Sequence, residues 1–365
     1  MMNGKEVLFF VGKCLTIKHE ENNKILVEDI LKSNTVNWPL VVTLSTGQFV
    51  FPALYCNLKS ANFLHYLPED LVVFMKQITD VNRARNQKII AQAKEINELL
   101  LKNDITPIFL KGTGNLLEGL YDDVAERMVG DIDLIVSKEN ATKAYRLLRE
   151  QKYISKSDLK FHLEREKRHI PPLTNKNKIA AVEIHIELLI KKHRAEFNYA
   201  IVKKKSQKIN NMNFLSFKHQ IALSIIAEQI NDGGFRYNTI VLRNAYDVFL
   251  LSKKTEAKTS FDEFKNLKNP LNCFLATCFQ VFNSPPSLQY NATTKTEAYL
   301  KIFNEDLNNE EFRKKRHRKV KIKFSIKSKI NTLFRSFFDA YTRKTAIKNV
   351  IHRFKASKRP NFNSF

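Results

Sequence analysis

The sequence predicts an α+β protein, with a small sheet set between N-terminal and C-terminal helical regions. Three observations carry that. Short apolar runs with β character end at Leu110, Val136 and Leu189. Longer stretches on both sides repeat apolar residues at helical spacing, as in Leu71, Phe74, Met75, Ile78 and Val81. One run alternates strictly, with Val182, Ile184, Ile186 and Leu188 against Glu183, His185 and Glu187. At 365 residues the chain is long enough for two or more packed layers.

Composition narrows the class. The apolar fraction of 43% is that of an ordinary globular protein. No window approaches the ~18 uncharged apolar residues of a membrane-spanning helix. The first residues have only a short apolar run, Val7 to Val11, between Lys5 and Lys13, without a signal-peptide core. The expectation is an intracellular, cytoplasmic protein. Cys14, Cys56, Cys273 and Cys278 are scattered, which suits buried free thiols rather than zinc ligands or a disulfide framework. The net charge of +24 is uneven: residues 312–365 hold eighteen Lys/Arg against one acid, Asp339, which is +17 and leaves +7 to residues 1–311.

Residues 1–105 read as a mainly helical region. Glu20-Glu21-Asn22-Asn23 looks like a turn, and Val41–Leu54 holds both a β-like run and a Gly/Pro break, so neither state is assigned there. Pro68-Glu69-Asp70 suits a helix start, where the dipole favours negative charge. Leu71, Phe74, Met75, Ile78, Val81, Ile89, Ile96 and Leu100 then predict a core-packing face out to about Lys102.

The core is expected at residues 106–190. Thr106–Leu110 is a short strand running into Lys111-Gly112-Thr113-Gly114, with a helix over Asn115–Tyr121. A strand ending in a glycine turn that opens a helix points backbone N–H groups outward and suits phosphate. The spacing is not that of a P-loop. Gly130-Asp131-Ile132-Asp133-Leu134-Ile135-Val136 follows. On a strand, Asp131 and Asp133 project from one face, and two such carboxylates need a cation between them, most simply a divalent metal such as Mg²⁺. A helix is expected over Lys138–Gln151, and Tyr153–Arg168 is ambiguous. His169–Leu173 and Ile179–Leu189 flank a Thr174–Asn177 turn and suggest a hairpin. If its second arm lies beside the Asp131/Asp133 strand, Glu183 becomes a third carboxylate.

From about Lys192 the chain turns helical, with Ser216–Ile230 and Leu242–Leu251 as packed helices and further helices through residue 311. The tail, 312–365, opens with the basic cluster Arg313–Lys323. It continues with Ile326, Ile330, Leu333, Phe334, Phe337, Phe338 and Tyr341, as a packed last helix or an arm for an anionic membrane surface or nucleic acid.

Phe109-Leu110-Lys111-Gly112, Leu120-Tyr121, Arg127, Gly130–Val136 and Val182-Glu183-Ile184-His185 together resemble the uncharacterised bacterial nucleotidyltransferase family of the DNA polymerase β-like superfamily. The resemblance spans about residues 30–280. It implies a small mixed-sheet nucleotidyltransferase core with helical regions on either side. In that core Gly112 and Thr113 form the phosphate turn, and Asp131, Asp133 and Glu183 bind two Mg²⁺. The superfamily's usual Gly-Ser is Gly-Thr here, which still supplies a hydroxyl, and the Gly112-to-Asp131 spacing exceeds that of minimal members. The implied reaction moves NMP from an NTP to an acceptor and releases pyrophosphate. Lys111 and Arg127 are the expected cations for phosphate, and His169 and His185 candidate contacts to nucleotide or acceptor. The acceptor is left open among small molecules, sugars, proteins and nucleic-acid ends. The competing expectation is a non-catalytic protein of the same fold that binds nucleic acid or an anionic membrane through its tail.

Overall fold

Capping chemistry starts the chain. Asn3 accepts from the backbone N–H groups of Lys5 and Glu6 while Glu6 accepts from the Asn3 N–H at 2.8 Å, a reciprocal box ahead of helix α1 (Gly4–Cys14). Helices α2 (Glu21–Lys32), α3 (Trp38–Gly47) and α4 (Phe51–Ser60) follow, so Val41–Leu54 is two helices broken at Gln48-Phe49-Val50. The structure is a computed structural model and describes residues 1–164 and 167–338.

Helix α5 (Glu69–Leu101) begins after Pro68 with Glu69 and Asp70 in its first turn, as the sequence predicts. Its buried face differs from the expected one. Met75, Thr79, Asn82, Asn86, Ile89, Ala93, Ile96 and Leu100 face inward, whereas Phe74 and Val81 are exposed. The polar members of that face carry the backbone of a loop described below.

Five strands, β1 (Ile108–Phe109), β2 (Asp131–Ile135), β3 (Ala181–His185), β4 (Gln207–Ile209) and β5 (Met212–Phe214), form a mixed sheet in the order β3-β2-β1-β5-β4. Strands β1 and β2 are antiparallel, β2 and β3 parallel, and β1 runs parallel to β5. Two helices, α6 (Lys111–Glu118) and α7 (Lys138–Glu150), follow β1 and β2, and the short α8 is Leu159–Glu164. The expected hairpin is present: Leu173 and Val182 exchange backbone hydrogen bonds of 3.0 and 2.8 Å.

Beyond residue 190 the helical expectation is interrupted. After α9 (Tyr199–Lys204), β4 (Gln207–Ile209) and β5 (Met212–Phe214) form an antiparallel hairpin and extend the sheet. Asn210 and Asn211 take φ of 48° and 60°, the left-handed pair a tight two-residue turn needs. The Asn-Asn pair was the sequence signal. Ser216 then caps α10 (Phe217–Ile226), which continues as a π-turn over Ala227–Asn231. Helices α11 (Leu242–Ser252), α12 (Lys268–Val281), α13 (Thr294–Asn308) and α14 (Glu310–Phe338) complete the described residues.

The core is aromatic and aliphatic, with Phe10, Phe109, Phe197, Phe214, Tyr246, Phe249, Phe274 and Phe282 fully buried. All four cysteines are free and buried. Met1–Asn304 form one compact unit, and a second begins at Glu305. No helix among the described residues is long and apolar enough to cross a membrane. Of the tail, residues 339–365, including Asp339 and Tyr341, lie outside the described residues.

Candidate functional site

Register brings the site together. In the parallel β2/β3 pair Asp133 lies opposite Glu183, Asp131 opposite Ala181 and Ile135 opposite His185. Side chains alternate along each strand, so Asp131, Asp133, Glu183 and His185 share one face while Ile132, Leu134, Val182 and Ile184 are buried on the other. His185 Nε2 is 2.8 Å from Asp133 Oδ1 and 3.6 Å from Glu183 Oε2. Lys111 Nζ donates to the same Asp133 Oδ1 at 2.6 Å. Asp133 is 9% exposed and His185 2%, whereas Asp131 lies at the exposed rim of the strand.

The turn into α6 is made by Lys111 rather than by a glycine. Lys111 has φ +52°, and helix α6 starts there, earlier than the predicted Asn115. A lysine in left-handed backbone is strained, at roughly 1–3 kcal/mol, and here the strained residue supplies the ammonium that meets Asp133. The glycines serve close approach. A Cβ on Gly112 would meet Val129 at 3.0 Å and the Arg127 guanidinium carbon at 3.3 Å, and one on Gly114 would meet Phe109 O at 3.0 Å. The first i→i−4 bond of α6 runs from Gly114 N–H to Leu110 O, and no side chain caps the helix start. The N–H groups of Lys111, Gly112 and Thr113 therefore precede the helix's own hydrogen bonding. The Thr113 hydroxyl is buried and donates to Asp131 O at 2.6 Å, fixing the carboxylate strand to the turn.

Arg127 is placed behind the turn. Its Nε and Nη2 donate to Asp247 of α11 at 2.9 and 2.8 Å, and its Nη1 to Met128 O at 2.9 Å. Helix α5 holds the same loop by its polar face: Asn82 Nδ2 donates to Ala125 O at 2.7 Å, and Asn86 Nδ2 to Val124 O and Arg127 O at 2.6 and 2.7 Å. Asn82, Asn86 and Asp247 thus position the chain entering Asp131, a role missed from the sequence. The signal available was two asparagines interrupting the apolar stripe of α5 at i, i+4 spacing. His169 pairs with His185 across the hairpin, rings 5.4 Å apart, and its Nδ1 is 2.9 Å from Ile170 O.

The electrostatics are those of crowded carboxylates. Burial, then the like charges of Glu183 and Asp133, raises the Asp131 carboxyl. Burial also works to raise Asp133, but the Lys111 ammonium and the His185 ring outweigh it and hold that carboxyl well below the usual range. The His185 ring lowers Glu183 against the effect of burial. Burial lowers His169 and so favours its neutral ring. Asp133, Glu183 and His185 each offer a ligand atom, all within 4.8 Å of one another. That oxygen-and-imidazole set, with Asp131 two residues along the same strand face, fits a divalent cation.

The model of a family described as uncharacterised nucleotidyltransferases matches residues 34–282. The chain belongs to that nucleotidyltransferase family. Its helix-flanked small mixed sheet is consistent with the nucleotidyltransferase fold, and the family supports nucleotidyl transfer as the general activity. The matched span takes in Phe49, the whole sheet, the carboxylate cluster and α11. The crystal structure of JHP933 from Helicobacter pylori is similar at 13% identity, over 66% of this chain and 97% of that one, with a TM-score of 0.31. No curated protein matches the chain.

Proposed function

We propose that this nucleotidyltransferase transfers NMP from an NTP to an acceptor hydroxyl with release of pyrophosphate, and that Mg²⁺ supports the reaction. The observation that carries the reading is the convergence of Asp133, Glu183, His185 and the Lys111 ammonium on one sheet face beside the uncapped start of α6. Asp131, Asp133 and Glu183 would hold the metal, with His185 at its edge. A divalent metal held by these residues would supply positive charge to the attacking and leaving oxygens of an in-line displacement, with two ions expected. Lys111 and the first N–H groups of α6 bind phosphate oxygens. Glu183 accepts the proton of the attacking hydroxyl as that oxygen bonds to the α-phosphorus and the bond to the β-phosphate oxygen breaks. Arg127 acts from behind, by holding Gly112 and the loop before Asp131. His169 orients the His185 ring from across the hairpin. The acceptor is the open term, among small molecules, sugars, proteins and nucleic-acid ends.

The test is pyrophosphate release from each NTP with Mg²⁺ and cell extract, followed by identification of what becomes labelled. Asp131→Asn with Asp133→Asn is expected to abolish metal-dependent release. Turnover equal to the parent's in that variant removes the metal assignment. A second reading, a non-catalytic protein docking on nucleic acid or an anionic membrane surface, is favoured by α14, where Lys314, Lys315, Arg318, Lys319 and Lys321 are all exposed.

A further inference from the structure

A guanidinium withdrawn from water is normally met by a carboxylate or by carbonyl oxygens. Arg127 follows that rule through Asp247 and Met128 O. Arg243, four residues before Asp247 on α11 and therefore on the same helix face, does not. It is half-buried, makes no ion pair among the described residues, and its Nε is buried without a hydrogen-bond partner. The Phe49 ring lies with its centroid 4.8 Å from the guanidinium carbon. That cation–π contact offsets part of the desolvation but leaves the Nε–H without an acceptor. Burial, then the neighbouring Arg127 charge, acts against the Arg243 cation, while Asp247, Tyr121 and Asp133 act in its favour. Geometry locates it: Arg243 shares an α11 face with Asp247, Asp247 pairs with Arg127, and Arg127 packs on Gly112 at the turn of the site.

The surroundings hold Arg243 in this condition. Gln48 Oε1 accepts from the Leu242 N–H at the start of α11 at 2.9 Å. Phe49, the next residue, occupies the left-handed position after α3 with φ +57°, and the Val50 N–H closes back on Ser45 O at 2.9 Å. That position favours glycine, and a phenylalanine there is strained. The strained residue is the one whose ring meets Arg243.

We propose that Arg243 binds the polyphosphate of the nucleotide, supplying from α11 the fork of N–H donors that Arg127, bound to Asp247, does not have to spare. A phosphate group presents oxygens to such a fork in the bidentate arrangement that lysine cannot reproduce. The assignment of the anion to an NTP rests on the function proposed above, whereas Arg243 as an anion site stands on its own geometry, and the experiment separates the two. Full-length protein, Arg243→Gln and Arg243→Lys are titrated calorimetrically with tripolyphosphate without metal, and separately with each NTP and with a nucleoside in the presence of Mg²⁺. Tripolyphosphate affinity is expected to fall about tenfold or more in R243Q and several-fold in R243K, with nucleoside binding unchanged. The ligand-free Tm of R243Q is expected to equal or exceed the parent's, because the change removes an unmatched charge. A residue with a merely structural role would lower it. Parent-like tripolyphosphate affinity in R243Q, or no tripolyphosphate binding by the parent, overturns the proposal. If R243Q does not fold, R243K decides it on the same reading. Tripolyphosphate binding lost in R243Q alongside a parent that binds no NTP upholds the anion site and overturns the nucleotide reading.

Discussion

Arg127 and Asp247 form the most completely desolvated ion pair in the neighbourhood of the site, at 6% and 1% exposure. Asp247 also accepts from the Tyr121 hydroxyl at 2.6 Å, so its oxygens are matched on both sides. Replacing the carboxylate by an amide while keeping the guanidinium leaves a buried cation facing only neutral acceptors, the amide oxygen and Met128 O. Asp247→Asn is therefore expected to cost about 3–5 kcal/mol, measured as a lowered urea midpoint. Replacing both partners with apolar residues, as in R127M/D247L, is expected to cost less than the two single changes added together; a double variant that loses the full sum would show the pair is not coupled. At this scale the sequence was informative wherever a local period fixed geometry. The two-residue repeat put Asp131 and Asp133 on one face and made Glu183 a candidate beside them. Arg127 was visible as a cation, but its partner lies 120 positions away, and no local pattern reports such a pairing. His185 was legible as a polar-face residue and a candidate contact to nucleotide or acceptor, but its contact with Asp133 was not, since that depends on the β2/β3 register.

The elements that carry the site are irregular at the points where they do so. Helix α5 gives up apolar positions to asparagines that bind loop carbonyls, and α6 starts on a strained lysine. The π-turn after α10 belongs to the same set. Its Asn231 side chain accepts from the Ile190 N–H and donates to Leu188 O, tying down the chain that leaves β3. Within that turn, burial pushes the Glu228 carboxyl up from 4.5 to about 7. Its carboxylate accepts from Thr239 Oγ1 at 3.2 Å and from Gln229, and it packs where Gly234 leaves no room for a Cβ. Between 4.5 and about 7 the folded chain holds a proton here that the unfolded chain has released. Stability from this group is thus full at low pH and lost as pH rises through that window. Glu228→Gln is expected to melt with the parent near pH 4.5 and above it at pH 8. Identical melting curves for the two at pH 8 would remove Glu228 from the linkage. Periodicity predicted the α10 helix, but a π-turn differs from its α-helical continuation by one inserted residue, which a hydrophobic repeat does not register.

For the whole molecule, the fold class was legible because the helical and strand periods differ, and a small mixed sheet flanked by helices is what the structure shows. The β4–β5 hairpin was missed because each strand is three residues long, too short for a period, although its Asn210-Asn211 turn was in plain view. Charge is the property that belongs to the chain as a whole and to no single fold element. Of the net +24, +17 lies in residues 312–365, so residues 1–311, which hold the carboxylate site, are only mildly basic. On α14 the described basic residues accompany Ile322, Ile326 and Ile330, which are 50%, 52% and 50% exposed at i, i+4 spacing. Exposed isoleucines in line, flanked by Lys321, Lys323, Lys327 and Lys329, make a helix suited to the headgroup layer of an anionic bilayer. The full chain is expected to sediment with phosphatidylserine-containing vesicles at about 0.05–0.1 M salt and to be released near 1 M, where the Debye length shrinks to ~3 Å. It is expected to leave neutral phosphatidylcholine vesicles alone, since apolar contact without charge is too weak. A chain ending at Asn309 is expected to lose the vesicle binding and to keep the NTP binding of the parent. Sedimentation of that shorter chain with anionic vesicles, at the full chain's level, would move the membrane contact out of the tail.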